Sequence, residues 1–306
     1  MDVAIRSLRY FVAVAEELHF TRAAERLRIA QPALSKSIRR MESEMGVTLF
    51  ERSRQGVALT DAGRSLLPVA RGVVGDLDSW LAGVRRARDA ASRVLRVEYH
   101  SGMDAETIDP VIARFARLRP GWRPDLRLGD WHDPAGGVLD GRAHAAFIPL
   151  PVPGQESLDA EILRREPRRV ALPADHPLAA RATVRLDDLR DERFVALPAS
   201  SGPLREFWLA TAEFGRTPAI GAEVANSEDW LQAVLSGRGV AMISESSARV
   251  YARPGIVYRP VEGVAPAVRA VVWRRDATDP VLRDFVRACV EAAAGRRAGR
   301  DGLKYS

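Results

Sequence analysis

The chain has 306 residues, 46% of them hydrophobic and 28% charged, with a formal net charge of +6. That length supports more than one hydrophobic core. The single cysteine, Cys289, excludes an internal disulfide or a two-cysteine redox switch and reads as a small buried apolar residue. No apolar run reaches the roughly 20 residues of a membrane span and the first residues show no cleavable signal pattern, so a cytoplasmic protein with no membrane partner is expected. Charge is unevenly placed: residues 1–94 hold 16 basic and 11 acidic residues, residues 95–294 hold 26 and 28, and residues 295–306 hold 4 and 1. A basic N-terminal part beside a near-neutral body suits a polyanion partner for the first and a different role for the second.

The apolar stripe Leu8, Phe11, Val12, Ala15 and Leu18 predicts a helix over residues 5–18. A second helix follows Thr21, a good N-cap, with Ala23, Ala24 and Leu27 on its buried side. After a turn at residues 28–31, Pro32 opens a third helix that runs to Met45 and stops at Gly46. At roughly 100° per residue, Leu34, Ile38, Met41 and Met45 share its core side. Gln31, Pro32, Ser35, Lys36 and Arg39 share the other, a short basic face sized for a DNA major groove. Two short strands, 47–50 and 56–59, flank a tip carrying Arg52 and Arg54, a wing placed to reach phosphates or a narrow minor groove.

From Thr60 a long helix is expected, with Leu66, Ala70, Val73, Leu77, Trp80 and Val84 as a heptad seam and the same helix of a second chain as its partner. Residues 89–93 read as a polar hinge. Strands and helices then alternate: strands at 95–99, 125–128 and 143–150, with helices at 107–119 and 136–139. A second set has strands at 169–172, 194–197, 220–224 and 240–243, with helices at 204–214 and 227–236. Strands at 256–258 and 268–273 and a helix at 280–293 close the chain. Two α/β lobes are implied, with a ligand crevice at strand ends and helix N-termini.

Residues 5–65 resemble the N-terminal domain of LysR-type transcriptional regulators. The resemblance rests on Leu8, Phe11, Val14, Ala15, Phe20, Thr21, Ala23, Ala24, Leu27, the run Gln31-Pro32-Ala33-Leu34-Ser35, Ile38, Glu42, Gly46, Leu49-Phe50, Arg52 and Leu59-Thr60-Asp61-Ala62-Gly63. The family often has a second arginine where this chain has Gln55, leaving open whether Arg52 or Arg54 enters the groove. The body is similar to the family's effector-binding domain, itself like type 2 periplasmic binding proteins. The match lies in Leu95-Arg96-Val97, Phe115, Pro120, Gly141, Ala174-Asp175-His176-Pro177-Leu178, Phe194, Pro198, Val234, Gly237, Gly239 and Val240. His144 stands where the family usually has Asp, and Ser244-Glu245 where it often has Pro.

The resemblance implies a winged helix-turn-helix domain over 1–59, a dimerisation helix over 60–89 and a two-lobed effector domain over 94–295. Lobe 1 is placed at 94–162 and 264–295, lobe 2 at 163–263, and a basic tail at 296–306. The expected DNA contacts are Thr21, Gln31, Pro32, Ser35, Lys36, Arg39, Arg52 and Arg54. The expected effector contacts, at predicted strand ends, are Ser101, Met103, Trp131, His132, Ser200, Ser201, Asn226 and Ser227. Partners would be promoter DNA, a small effector (an organic acid) and a second copy of the chain, as dimer or tetramer. No Gly-x-Ser-x-Gly elbow, phosphate loop or metal spacing occurs, and His132-Asp133 with Ser200 or Ser201 makes no supported triad, so neither catalysis nor a cofactor is expected. The competing reading is a cytoplasmic solute-binding module without a regulatory role.

Overall fold

The computed structural model describes residues 4–53, 56–100, 102 and 105–302. The chain falls into two units, Met1–Val84 and Arg85–Ser306.

In the first unit, α1 (Ile5–Glu17), α2 (Phe20–Arg26) and α3 (Gln31–Met45) precede a hairpin of β1 (Phe50–Ser53) and β2 (Gly56–Leu59). Their apolar faces enclose a core of Phe11, Val14, Phe20, Ala23, Leu34, Ile38, Met41, Leu49 and Phe50. The Phe50 ring meets Phe11 and Phe20 edge-on at 5.6 and 5.9 Å, which welds the wing to the helices. Glu42 on α3 adds a polar clamp, its Oε1 accepting from the amides of Leu49 and Phe50 at 2.8 and 3.2 Å. The cap of α2 differs from expectation. His19 holds the N-cap position, and its Nδ1 accepts from the amides of Thr21 and Arg22. The helix begins at Phe20 because that ring is needed in the core, which puts Thr21 inside the first turn. Gly46 ends α3 at φ 69°, in the left-handed region expected of a C-cap glycine.

α4 runs unbroken from Asp61 to Ser92. Thr60 Oγ1 accepts from the Gly63 amide at 3.0 Å and donates to the Thr48 carbonyl at 2.7 Å, so one hydroxyl caps α4 and ties it to the wing. Residues 89–92 of the polar hinge expected at 89–93 are instead the last turn of α4. Asp89 is buried in an ion pair with Arg96, and Arg93, at φ 51°, makes the turn into the next strand. The expected polar hinge thus holds the charge of Asp89 inside, while Arg93 stays exposed.

The second unit contains two lobes. The first has a five-stranded sheet in the order β4-β3-β5-β13-β6, made of β3 (Val94–Tyr99), β4 (Arg123–Leu128), β5 (Ala145–Leu150), β6 (Leu158–Glu166) and β13 (Ala267–Arg274). β3 pairs in parallel with β4 and β5, and β13 runs antiparallel to β5 and β6. α5 (Ala105–Leu118) and α10 (Pro280–Gly302) complete the core, where Phe285 packs on Phe115 and Phe147 and Cys289 is buried. β6 has no counterpart in the sequence reading, because it is the edge strand, paired with β13, and its charged pattern resembles a loop. Residues 136–139 form turns rather than a helix, with Gly136 and Gly137 both at positive φ.

In the second lobe, β7 (Arg168–Pro173), β8 (Val184–Arg185), β11 (Ala241–Ser244) and β12 (Ile256–Glu262) form a sheet ordered β11-β7-β12-β8. The parallel pair β9 (Phe194–Ala196) and β10 (Ile220–Glu223) joins it through the Val195 amide on the Val240 carbonyl at 2.8 Å. The helix expected over 204–214 is two, α6 (Pro203–Trp208) and α7 (Thr211–Phe214), split at Ala210 with φ 53°. α8 (Ser227–Leu235) and α9 (Glu245–Val250) complete the lobe; α9 went unread because its Ser-rich sequence lacks an apolar stripe. The lobes are joined by two crossings, Glu166 to Arg168 and Glu262 to Ala267.

Candidate functional site

On the first unit, Gln31, Pro32, Lys36 and Arg39 form an exposed strip along α3. Arg40 is engaged by Glu44 at 2.7 Å, whereas no ion pair holds Lys36 or Arg39 among the described residues. Thr21, in the first turn of α2, is exposed as well. Ser35 corrects the helical projection: it is only 8% exposed, and its Oγ accepts from Arg52 Nη1 at 3.0 Å. The Arg52 guanidinium lies 4.3 Å over the Phe20 ring, and its partial burial and the neighbouring Arg39 pull its pKa down from the usual arginine value. Ser35, Arg52 and Phe20 therefore lock wing to helix. Arg54 lies outside the described residues.

Along α4, the first seam residues, Leu66 and Ala70, pack into the unit's own core. Val73, Trp80 and Val84 are large, apolar and 40, 64 and 49% exposed, and Leu77 is half-buried. A groove lined by Leu8, Met41, Met45, Leu66, Val69 and Val73 adjoins this seam.

On the second unit a cleft opens between the lobes. Its polar floor is His100 at the end of β3, Arg269 on β13, and Ser244 and Ser247 at β11 and α9. Its walls are Trp131, Trp208, Trp230 and Tyr251 with Val195, Leu197, Leu204, Met242 and Ile243, and Ser227 at the start of α8. Arg269 is 7% exposed; its Nη2 donates to Ser247 Oγ and to Ser244 Oγ, and its Nε is 3.6 Å from Glu166 Oε1. Glu166 also accepts from the Ser246 amide and hydroxyl at 2.8 and 2.7 Å, so the first lobe's guanidinium and carboxylate both grip the turn into α9. His100 is 2% exposed, with Nε2 buried and unpartnered among the described residues. Burial, with Arg269 nearby, pushes its pKa down to about 4, so the ring is neutral at physiological pH. Gly102 is demanded here: it sits at φ 89°, and a Cβ would come within 1.9 Å of Ser247 Oγ.

Of the effector contacts expected from sequence, Trp131 and Ser227 line the cleft. Ser201 is fully buried and donates to the Trp131 carbonyl at 2.7 Å, holding that wall in place. Asn226 is the N-cap of α8, its Oδ1 accepting from the Asp229 amide at 2.9 Å. His132 Nδ1 and Ser200 Oγ lie 3.3 Å apart, a latch between loops of the two lobes. Ser101 and Met103 lie outside the described residues. His100, Trp208, Trp230, Ser244, Ser247, Tyr251 and Arg269 also line the cleft and are not among the effector contacts expected from sequence. One signal was readable: Arg269 is a lone charge in the apolar run Ala267–Trp273, and a charge there must have a buried partner.

The arrangement matches known proteins along its length. Residues 5–64 match the family described as bacterial regulatory helix-turn-helix protein, lysR family, and residues 88–294 match LysR substrate binding domain. The chain is 34% identical over 295 residues to the transcriptional regulator IlvR of Caulobacter vibrioides, covering 94% of this chain and 97% of the relative. It is 32% identical over 286 residues to the regulator ShiR of Corynebacterium glutamicum, covering 92 and 96%. Full-length BenM superposes with a TM-score of 0.53 at 25% identity over 96% of this chain and 97% of that one. The exposed basic helix and the two-lobed cleft thus fall in the two domains shared by this family, and the chain belongs to the LysR-type transcriptional regulators.

Proposed function

We propose that the cleft takes a small aromatic carboxylate whose binding modulates promoter recognition by α3 and the wing. The observation that carries this reading is the cleft's composition. A buried guanidinium, two serine hydroxyls and a neutral imidazole form the floor, and three tryptophans and a tyrosine form the walls. Such a site suits a carboxylate head, by a charge-assisted hydrogen bond to Arg269, and a flat apolar body. Gln31, Pro32, Lys36 and Arg39 read the major groove, Thr21 contacts the backbone, and Arg54 serves the wing tip. Ser35 and Arg52 act by fixing the helix–wing angle. The exposed seam of Val73, Leu77, Trp80 and Val84 pairs with that of a second copy, which spaces two recognition helices on an inverted repeat. A tetramer is a further pairing of such dimers, and the protein works in the cytoplasm. A solute-binding module without DNA would have no use for the unpaired Lys36–Arg39 strip.

The test is a gel shift on DNA upstream of the protein's own coding region, against competitor DNA across a salt series. Selective binding that weakens steeply with salt is expected. Benzoate and ring-substituted benzoates are then compared with their amides by thermal unfolding. Stabilisation by acids and not by amides, lost in Arg269→Met, is the expected result; equal response to acids and amides overturns the carboxylate assignment.

A further inference from the structure

One face of β3 carries a ladder of polar groups from α4 to the cleft. Arg96, Glu98 and His100 alternate along the strand and so project to the same side. At the α4 end, Arg96 Nη2 lies 2.7 Å from Asp89 Oδ2, and both side chains are under 9% exposed. His144 closes this rung: its Nδ1 accepts from the Arg96 amide at 3.1 Å, and its Nε2 is 3.9 Å from Asp89 Oδ2. One turn earlier on α4, Arg85 donates to the carbonyls of Asp140 and Gly141 at 2.9 and 3.4 Å. In the middle rung, Arg142 reaches three carboxylates. Its Nη1 is 3.6 Å from Glu98, its Nε donates to Asp140 at 2.6 Å, and its Nη2 donates to Asp133. Asp133 also accepts from the Gly137 amide at 2.9 Å. At the far end His100 meets the Asp133 backbone and lines the cleft beside Trp131. Residues 130–144 therefore begin at a cleft wall and end on α4, with Arg142 as the cross-tie.

Given the reading of this cleft as the effector site, we propose that Arg142 is a positioning residue that couples the cleft to the end of α4. A ligand that displaces Trp131 or His100 moves Asp133. Arg142 then carries the shift to Asp140 and Gly141, which hold Arg85, and toward His144, which faces Asp89. A surface ion pair alone would contribute little. Here one guanidinium is shared by Glu98 on β3 and by Asp133 and Asp140 on its own segment, so its removal loosens that segment at three points rather than deleting a single contact.

Amide hydrogen exchange on the full-length protein, with no ligand added, tests the coupling. The variants are His100→Asn, Arg142→Met, the double variant and Arg142→Lys. Exchange at residues 86–92 is compared with that of residues 285–292 of α10, which pack with Leu95 and Val97 in the first lobe's core, on the face of β3 away from the ladder. His100→Asn is expected to speed exchange at 86–92 by about fivefold, and to have no further effect once Arg142 is Met. Arg142→Lys retains part of the response. Additive effects in the double variant, or an unchanged 86–92 segment in His100→Asn, overturn the proposal. Should residues 285–292 also lose protection in Arg142→Met, that variant is globally destabilised, and Asp140→Asn replaces it in the same cycle with the same two outcomes. Because no ligand is used, the result stands apart from the benzoate thermal shifts that test the cleft itself.

Discussion

His100 gives the second unit a definite acid response. In the unfolded chain its imidazole titrates near 6.5, whereas burial holds it to about 4 in the fold. Between those values the unfolded chain binds a proton that the folded one refuses, so stability falls as pH drops from 6.5 to 4 and levels below that. The full loss is about 3 kcal/mol. Denaturant unfolding of wild type and His100→Asn between pH 4 and 7.5 should show a shallower slope in the variant. His144, lowered by burial and by Arg96, supplies a remainder of the same sign. Equal slopes would refute this assignment. Arg168 illustrates a different burial. Its side chain has no exposed surface, donating to the carbonyls of Ala265 and Phe207 at 2.7 and 2.6 Å and to Glu213, with its guanidinium 4.3 Å over the Phe207 ring. Arg168→Met strands Glu213 and two carbonyls, so a loss of about 3–5 kcal/mol is expected in urea unfolding. A loss under about 1 kcal/mol would show that water reaches the pocket.

Among the elements, α4 is the most exposed in its apolar content. Two of its seam positions stabilise the first unit and the others face outward. Trp80→Glu places a charge on that outward face, and sedimentation equilibrium should show the dimer shifted to monomer at micromolar concentration while thermal unfolding of the second unit is unchanged. An unaltered dimer would mean that association uses another surface. The junction of wing and α4 is packed to its limit at Gly63, where a Cβ would stand 2.3 Å from the Leu49 carbonyl oxygen. Gly63→Ala is a better helix former in isolation, yet here it should destabilise the first unit by about 1–3 kcal/mol. A gain in melting temperature would show that the wing yields freely.

For the whole molecule, two units with separate cores predict separable activities. Arg39→Ala should weaken selective DNA binding by about 10- to 100-fold and lower the salt dependence, as expected for loss of a base or phosphate contact. Its thermal stabilisation by a bound aromatic acid should match wild type. Loss of both responses in a folded variant would count against independent units.

The helix-turn-helix was legible because its signals are local. Pro32, Gly46 and the Leu34–Ile38–Met41 spacing act within a few turns of one helix, and the heptad of α4 is likewise a short-range repeat. The alternation of strands and helices announced the two lobes for the same reason. Ser35 was misplaced because its surroundings depend on Arg52, 17 residues away across the wing, which angular projection along one helix does not contain. The cleft floor is more distant still. Arg269 meets Ser247 across 22 residues, and Arg96 meets His144 across 48. Local periodicity follows from backbone geometry and apolar burial, and so can be read along the chain. Which polar groups converge is decided only when the lobes close, since each buried charge must find its partner wherever the fold delivers one.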